Sequence, residues 1–497
     1  MTDNEEVTPL LASPSAPNKK PGTAFAWLLS RSPTTIFLTV VIMIATLGSG
    51  LTGLPTLAVV EDSICQRLHR ADDQAAPDDR LCKSDDVQRE LSFIMGFQSM
   101  MEAIPSLVLA VPYGLLADRV GRRPVLILSF VGMILGMSWM MLSMWLSYYG
   151  LPFWVMWLSA FWQVIGAGDA VMISMVYAMI SDAEPAETRT DAFYLIIAGS
   201  LVAHLVAVPL STLLMLKSPW IPLLGGLALV VFTCICLTFI PESFHPTGST
   251  PTAQTADDQG NSASHSPIQK ATNFLSRFIA EARDSISILH SPSTSALLLT
   301  FIIQGFTNRA SGFMVQYLSK RFYWSISRAG LLVSIKNAVD LVLHIFILPA
   351  CSRLLMSPHF RFNYDPYTKD LVLARVSIFL LAAGSLLIAS PSLVMVTIGI
   401  IVFTLGAGFE SLCRGLISDL VDPEHTARVY SLIGVIQASS TLSAGPAIAW
   451  LFGSGMQLGG GWIGLPYLAT ALLCCLAAIG VYVVKPTVSL RRTRDQT

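Results

Sequence analysis

Long apolar blocks alternate with short polar segments along the chain. The blocks are about 20 to 28 residues long, and a helix of that length crosses the roughly 30 Å hydrocarbon core of a bilayer. Helices are expected because backbone polar groups in lipid must be satisfied within the segment. The pattern therefore predicts an all-α polytopic membrane protein with twelve transmembrane helices, at about residues 34–60, 91–117, 123–147, 153–180, 191–216, 220–240, 294–318, 328–350, 371–391, 393–417, 429–453 and 462–484.

A polar segment separates the first six predicted helices from the last six. Residues 244–270 are rich in Ser, Thr and Pro and have no hydrophobic period, which predicts a disordered linker. The following residues, 271–290, have the apolar pattern of an amphipathic helix lying on the inner membrane surface. The predicted organisation is an N-terminal tail (1–33), a six-helix bundle (34–243), the linker with its amphipathic helix (244–292), a second six-helix bundle (293–484) and a C-terminal tail (485–497).

The two halves of the chain resemble each other. Three landmarks recur in the same order: GAG, then Ser-Asp, then an Arg in the following loop, within residues 165–189 and again within residues 405–428. A parallel repeat of six helices is the internal symmetry of one large class of secondary transporters. The repeat therefore predicts two pseudo-symmetric bundles.

Charge placement predicts the orientation. Only 13% of the residues are charged, against about 25% in an average soluble domain. Lys and Arg concentrate in the loops that are cytosolic if the N-terminus is cytosolic, including 118–123, 352–370 and 491–494. The positive-inside rule then places both termini in the cytosol. The net charge of −1 and the absence of a basic arm with interleaved aromatics give no indication of nucleic-acid binding.

Two cysteines share the long first outside loop. Cys65 and Cys82 would lie outside the cytosol, where a disulfide can form. Two free thiols in a flexible loop are the alternative.

The loop after the second predicted helix carries a compact charge cluster, in "GLLADRVGRRPVL" (114–126). A positive-inside anchor would explain its arginines but neither its Asp nor its glycines. The spacing resembles the loop 2–3 signature of the major facilitator superfamily, at Gly114, Asp118, Arg119, Gly121, Arg122 and Arg123.

This resemblance covers nearly the whole chain, because the twelve helices, the central linker and the half-repeat also fit the family. It implies that Asp118 and Arg122 latch the two bundles on the cytosolic side in the outward-open state. The loop "SDAEPAETR" (181–189) is similar to the family's loop after helix 4, with Asp182 and Arg189 as its charged members.

Departures from the family's patterns argue against two of its subgroups, the drug–proton antiporters and the sugar porters. Trp162 stands where drug–proton antiporters usually carry an Arg, and helix 5 lacks their GxxxGPxxGG motif. Helix 7 lacks the paired glutamines of sugar porters. The chain looks most like the fungal branch that exports small organic molecules.

Charged and titratable residues lie near the middle of predicted spans. A charge at the bilayer centre costs about 2.5 to 3.5 kcal/mol on insertion scales, so we expect these residues to face an aqueous cavity or to pair with each other. They are Glu102, Asp169, His204, Arg309, Lys336, Asp340, His344, Glu410 and Arg414.

Structural roles remain open for several of these residues. Lys336 and Asp340 lie one helical turn apart, as do Glu410 and Arg414, so each pair could simply neutralise itself. Asp169 could cap a backbone where helices approach closely.

His344 and His204 could be ordinary packing residues. Glu102 has no partner on its own helix, and Arg309 has no acid within one turn, so an anionic substrate group or an acid on another helix is its expected partner.

We expect proton coupling through some of these acids, because a carboxylate's proton affinity changes when a nearby cation moves. The candidate proton sites are Glu102, Asp340, Asp169 and Glu410. The candidate substrate anchors or charge partners are Arg309, Lys336, His344 and Arg414.

The sequence thus predicts a transporter that exports a small organic molecule in exchange for protons, by alternating access. Proton-coupled uptake of a small organic anion and a non-transporting nutrient sensor are the alternatives. No metal-ligand cluster, nucleophile–base pair or phosphate-cradling loop indicates an enzyme or a cofactor. The expected partners are the bilayer, the substrate and protons, and a monomer is expected.

The predicted location is the plasma membrane. The segment "EEVTPLL" (5–11) resembles an acidic dileucine sorting signal, which makes the vacuolar membrane the alternative.

Overall fold

The computed structural model describes residues 32–69, 81–240, 292–357, 364–420 and 426–484. The linker, its amphipathic helix and nearly all of both tails lie outside these residues, so the predictions made for them stay predictions. A few side chains within the helices, including those of Asp118 and Arg189, also lie outside the described part.

Six helical spans make up the first half. Proline and glycine set several of their ends, since Pro33 opens the first helix and Gly121 separates the second from the third. The spans are α1 (Pro33–His69), α2 (Asp85–Val120), α3 (Arg122–Ser147), α4 (Ser159–Trp162 and Gly168–Ala183), α5 (Ala186–Met215) and α6 (Trp220–Leu237), with short 3₁₀ turns at Leu81–Lys83, Phe153–Leu158 and Gln163–Ile165.

Six further spans make up the second half. They are α7 (Pro292–Gly312 and Met314–Phe322), α8 (Ile326–Val342 and Leu348–Met356, joined by a π-helical turn at Leu343–Ile347), α9 (Pro366–Ile388), α10 (Leu393–Leu405 and Phe409–Leu420), α11 (Thr426–Leu458) and α12 (Leu465–Val483, after a 3₁₀ turn at Gly460–Gly464).

Eleven of these spans are long and apolar enough to cross a membrane, as judged on the described residues. The twelfth, α7, is less apolar because its first segment contains Gln304, Asn308 and Arg309. The predicted all-α architecture of twelve membrane helices in two bundles is confirmed. The helix ends differ from prediction mainly where α1 continues to His69 and α2 starts at Asp85, since both helices project beyond the apolar block into the loop.

Each half has its own hydrophobic core. Buried side chains of α1–α6 form two clusters, and buried side chains of α7–α12 form a third, which Leu54 of α1 joins from the other half. The most extensive contacts between the bundles run along α2 with α11 and along α5 with α8. The bundles therefore meet along two seams.

Two glycines bring α2 and α11 together. A Cβ added to Gly445 would lie 2.5 Å from the Gly96 carbonyl oxygen, and a Cβ on Gly96 would lie 2.8 Å from the Gly445 carbonyl oxygen. Small residues at such a crossing let two membrane helices approach backbone to backbone. Any larger side chain would push the seam apart.

A disulfide joins the loop between α1 and α2 to the end of α1. Cys65 and Cys82 are bonded, with their Cα atoms 5.0 Å apart. We call this end of the molecule the disulfide face, and the opposite end, which carries residues 114–123, the motif face.

Gly445→Ala should lower the melting temperature by several degrees, because forcing a methyl group into a packed seam costs about 1–3 kcal/mol. Thermal unfolding of the detergent-solubilised protein measures the effect. Gly434→Ala, in the same helix with open space where the Cβ would lie, is the matched control and should not destabilise. Equal melting temperatures for the two variants would contradict the close approach.

Candidate functional site

A glycine-broken helix presents Asp169. Ala167 and Gly168 have φ angles of +59° and +72°, which end the helical path of α4 and start a new segment with Asp169 in its first turn. Gly166 is required because a Cβ there would lie 2.2 Å from the Cα of Ser129 in α3. The Ser129 hydroxyl also donates to the Gly166 carbonyl at 2.7 Å. The sequence predicts α4 as one continuous span, and the break is a correction caused by this close packing.

The second half repeats the arrangement in α10. The GAG at 406–408 forms a turn, and the next segment begins at Phe409 with Glu410 in its first turn. A Cβ on Gly406 would lie 2.6 Å from the Ser377 carbonyl oxygen of α9. Carboxylates are favoured at helix N-termini by the free N–H groups and the helix dipole. The repeat thus places one acid at the start of a half-helix in each bundle.

Glu102, Asp169 and Arg309 come together from α2, α4 and α7; we call them the Glu102 group. The charges of Asp169 and Arg309 act on the half-buried Glu102 carboxylate. Arg309 Nη1 donates to Ser99 Oγ at 3.0 Å, so a cation of the second bundle reaches α2 of the first. Arg309 was expected to partner either an anionic substrate group or an acid on another helix, and its charge acts here on two acids of the first bundle.

Gln98 supports Glu102 from its own helix. Gln98 Nε2 donates to Glu102 Oε1 at 2.8 Å and to Ser159 Oγ of α4 at 2.8 Å. The expectation that Glu102 has no partner on its own helix was wrong, because it considered only charged residues. The spacing of four residues was the available signal.

Asp169 is exposed although it lies in a membrane-spanning helix. It also interacts with the charge of Arg309 on the opposite bundle. An accessible acid with a charged neighbour across the seam faces the space between the bundles rather than lipid.

Glu410, Arg414 and Gln437 form a second group in α10 and α11. Arg414 Nη2 lies 2.7 Å from Glu410 Oε1, and Gln437 Nε2 donates to the same oxygen at 2.8 Å. Gln437 Oε1 in turn accepts from Arg414 Nη2 at 3.0 Å. The pair expected from the spacing is present, and the charge of Arg414 also acts on Tyr177 of α4. Gln437 was missed, since an isolated Gln on another helix leaves no pattern in the sequence.

A third group lies where α5 meets α8; it comprises His204, Lys336, Asp340 and His344. His344 Nδ1 lies 3.2 Å from Asp340 Oδ1 and 3.0 Å from the Asp340 carbonyl oxygen. Among the ion pairs of the described residues, Asp340 therefore pairs with His344 and not with Lys336. The π-helical turn that begins at Leu343 follows directly, and such turns often occur at functional sites.

His204 faces this third group from the first bundle. The charges of Lys336 and Asp340 act on its ring, and Asn337 Nδ2 donates to its carbonyl oxygen at 3.4 Å. His204 is exposed at the seam between α5 and α8, and the packing role considered for it stays a prediction.

The signature loop keeps its described contacts within the first bundle. Arg122 forms an ion pair with Asp182 at the end of α4, and Arg123 donates to the Thr238 carbonyl after α6. Gly121 has a φ of +105°, and its N–H donates to the Ala117 carbonyl at 3.0 Å. Gly114 and the exposed Arg119 have open surroundings. A latch between the bundles through Asp118 and Arg122 stays a prediction.

Glu184 ties the start of α1 to the loop after α4. The Ser32 N–H donates to Glu184 Oε1 at 2.9 Å, and the Thr188 hydroxyl donates to Oε2 at 2.9 Å. The resemblance pointed to Asp182 and Arg189 in this loop and not to Glu184. In the described part of the chain, no group of three or more His, Cys, Asp or Glu is arranged to hold a metal ion.

Comparison with known proteins identifies the family of this chain. The family model described as Major Facilitator Superfamily matches residues 87–442. The chain is 30% identical to the MFS efflux pump atnC of Emericella nidulans, over 91% of this chain and 88% of the relative. It is also 30% identical to the efflux pump ustT of Aspergillus flavus, over 85% of this chain and 82% of the relative.

Solved structures share the fold. The D-xylose-proton symporter superposes with a TM-score of 0.59 at 14% identity, over 90% of this chain and 98% of that one. An inward-facing, unoccupied bacterial homologue of the human lysosomal transporter Spinster gives 0.59 at 15% identity, over 91% and 97%. At these identities the likeness concerns the architecture alone.

Glu184 should link stability to pH. Burial raises the pKa of its carboxyl, but hydrogen bonds from Ser32, Thr35 and Thr188 outweigh burial and hold the pKa below the ordinary 4.5. A lowered pKa stabilises the folded state above the ordinary value, and the contribution is lost as the pH falls through the folded-state pKa. The difference in melting temperature between wild type and Glu184→Gln should therefore be largest near neutral pH and shrink below about pH 4.5. A difference that is the same at all pH values would contradict this linkage.

Proposed function

Because the chain belongs to the major facilitator superfamily, and is a membrane transporter of the fungal type rather than an enzyme, we propose that it exports a small organic molecule in exchange for protons. Alternating access between the two bundles carries the substrate, with the cavity between α2, α4, α5, α7, α8 and α10 as its binding space. The observation that supports proton coupling best is the Glu102 group, which combines two acids of one bundle with a cation of the other.

Coupling in this proposal follows from the position of Arg309. A nearby cation favours the charged form of a carboxylate, and a carboxylate that loses its cation binds a proton more readily. Arg309 is on α7, whereas Glu102 and Asp169 are on α2 and α4. A rocking motion of the bundles would change the distance between cation and acids. Protonation and conformation would then bias each other, which is the thermodynamic meaning of coupling.

The group of His204, Asp340 and His344 is the second candidate proton site. It also spans the bundles, because His204 is on α5 and the other two residues are on α8. The charge of Lys336 also acts on His204, although it repels the imidazolium, whereas Arg309 attracts the Glu102 carboxylate. We propose Glu410 and Arg414 as a charge pair that presents Tyr177 and Gln437 to the substrate, since Arg414 is exposed at this position.

Export is favoured over uptake by the relatives, two of which are named efflux pumps. Uptake of an organic anion is the alternative, and it is favoured by the missing helix 5 antiporter motif and by the lack of an acid within one turn of Arg309. With Glu102 and Asp169 beside it, Arg309 does not require an anionic substrate.

We propose that the disulfide face is extracytosolic, since disulfides persist in oxidising compartments. The motif face and both termini are then cytosolic, in agreement with the positive-inside pattern. The plasma membrane is the proposed location. Fluorescence microscopy of the tagged protein tests this, and a signal at the vacuolar membrane would contradict it.

Untargeted metabolite profiling of cells and medium, with and without the gene, tests the direction. Export predicts a compound that accumulates inside the knockout and disappears from its medium. A compound left unused in the medium would instead establish uptake. No difference in either fraction would contradict transport at the cell surface and favour a sensor or an organellar carrier.

Glu102→Gln should reduce proton-driven transport at least about tenfold, because a coupled site loses its proton acceptor. Exchange of substrate across the membrane without a proton gradient should persist. Both are measured in proteoliposomes with the compound found by profiling. The matched control is Glu90→Gln, on the same helix but ion-paired with Arg67 at the disulfide face. Glu102→Gln with unchanged pH dependence would exclude Glu102 as the coupling site.

A further inference from the structure

A lysine of the second bundle is buried at the disulfide face. Lys320, near the end of the second segment of α7, is only 4% exposed. Burying an ammonium group is strongly unfavourable unless it is hydrogen-bonded and paired. The three charged groups described above and the signature loop do not include this residue, so its partners form a separate cluster.

Lys320 reaches across the seam into the first bundle. Its Nζ donates to the Lys83 carbonyl oxygen at 2.5 Å and forms an ion pair with Asp85 Oδ1 at 2.6 Å. Lys83 belongs to the 3₁₀ turn Leu81–Lys83, and Asp85 begins α2. One side chain therefore connects α7 to both the turn and the helix of the other half.

The receiving turn is itself held by buried charges. Lys83 is 4% exposed, and its ammonium lies 2.6 Å from both carboxylate oxygens of Glu61 in α1. Gln88 of α2 donates to the Glu61 carboxylate and, at 3.1 Å, to the Cys82 carbonyl. The disulfide from Cys82 to Cys65 anchors the same turn to α1. The carbonyl that accepts from Lys320 is thus fixed from several directions.

A second contact across the seam lies one turn deeper. Gln316 Nε2 of α7 donates to Ser92 Oγ at 2.8 Å and to the Gln88 carbonyl at 3.1 Å. Gln316, Ser92 and Gln88 are all buried. Between Lys320 and Gln316, the disulfide face is closed by directional polar contacts and not only by apolar packing.

Tyr323 is strained beside this contact. Its φ of +54° is a left-handed conformation that bulky residues rarely adopt. Its N–H closes the end of α7 on the Ser319 carbonyl, and its ring centroid lies 5.8 Å from Lys320 Nζ. Backbone strain of this kind persists where the surroundings require it, and it concentrates at clamps and switch regions.

We propose that Lys320 is a gate residue of the disulfide face. Its ammonium holds the two bundles closed on this side by occupying the site formed by the Lys83 carbonyl and Asp85. The Glu61–Lys83 ion pair and the disulfide keep that site in place. Opening the face returns each of these polar groups to water, so the contact can break and form again without exposing a large apolar surface. The proposal rests on alternating access but not on export or proton coupling.

Distance measurements between the bundles test the gate. Spin labels at Tyr149→Cys and Ser392→Cys, both exposed loop positions near this face, report the separation. The six free cysteines are replaced, and the Cys65–Cys82 disulfide is kept. Lys320→Met should raise the population with the longer distance at least about twofold. Arg321→Met is the matched control, because Arg321 donates to the Gly460 carbonyl within its own bundle and should leave the distances unchanged.

Asp85→Ala is a second variant that removes the carboxylate partner of Lys320 and, because the Asp85 side chain is 64% exposed, creates no cavity. It should increase the longer-distance population in the same direction but less than Lys320→Met. Wild-type distances in both variants would overturn the proposal, and so would an equal shift in Arg321→Met.

A cross-linking experiment distinguishes failure of the Lys320 gate from failure of alternating access. Ser92→Cys with Gln316→Cys places two thiols on either side of the closed seam, and oxidation should stop transport until a reductant is added. The wild type receives the same oxidant and reductant as the control. Continued transport while cross-linked would refute alternating access, and the gate with it. Arrested transport combined with wild-type distances in Lys320→Met would overturn the role of Lys320 alone.

Discussion

A charge inside a membrane-spanning bundle must find water or a partner, and this constraint explains how the two halves of the chain meet. Arg309 on α7 donates to Ser99, and its charge acts on Glu102 and Asp169 of the first bundle. Lys320, further along the same helical span, reaches Asp85. His204 of α5 lies within the field of Lys336 and Asp340. In each case the partner is across the seam, so the interactions of these polar side chains also connect the bundles. Such contacts are directional and reversible, which suits an interface that has to open.

The internal repeat has a chemical consequence. In α4 and in α10 a GAG packs against the neighbouring helix so closely that a Cβ would collide with its backbone. The helix breaks there, and the new segment begins with Asp169 in one half and Glu410 in the other. Discontinuous helices with ionisable groups at their ends are a common way to build transport sites. The two acids nevertheless have different surroundings, since Glu410 is paired with Arg414 while Asp169 interacts with Arg309 of the opposite bundle. The repeated GAG motif thus carries two unequal sites.

The contacts described at the two ends of the molecule differ. At the disulfide face, buried Lys, Gln and Ser side chains connect the bundles. At the motif face, the described contacts of Arg122 and Arg123 stay within the first bundle. Glu184 likewise joins the start of α1 to the loop after α4 of the same bundle. Among the contacts described for these residues, those at the disulfide face join the two bundles.

Much of the architecture was predictable from local sequence, because apolar length, charge in loops and repeated motifs act within one segment. Twelve helices, two halves and the Glu410–Arg414 pair follow from such patterns. Partner choice was not predictable where a residue has two candidates four positions away: Asp340 lies between Lys336 and His344, and only packing decides that it pairs with His344. The breaks in α4 and α10, the placement of His204, and the burial of Lys320 depend on backbones that are far apart in the chain. The sequence by itself determined the helices and their polar residues, whereas the tertiary structure decided which charges meet, because that depends on distances between helices that no local pattern encodes.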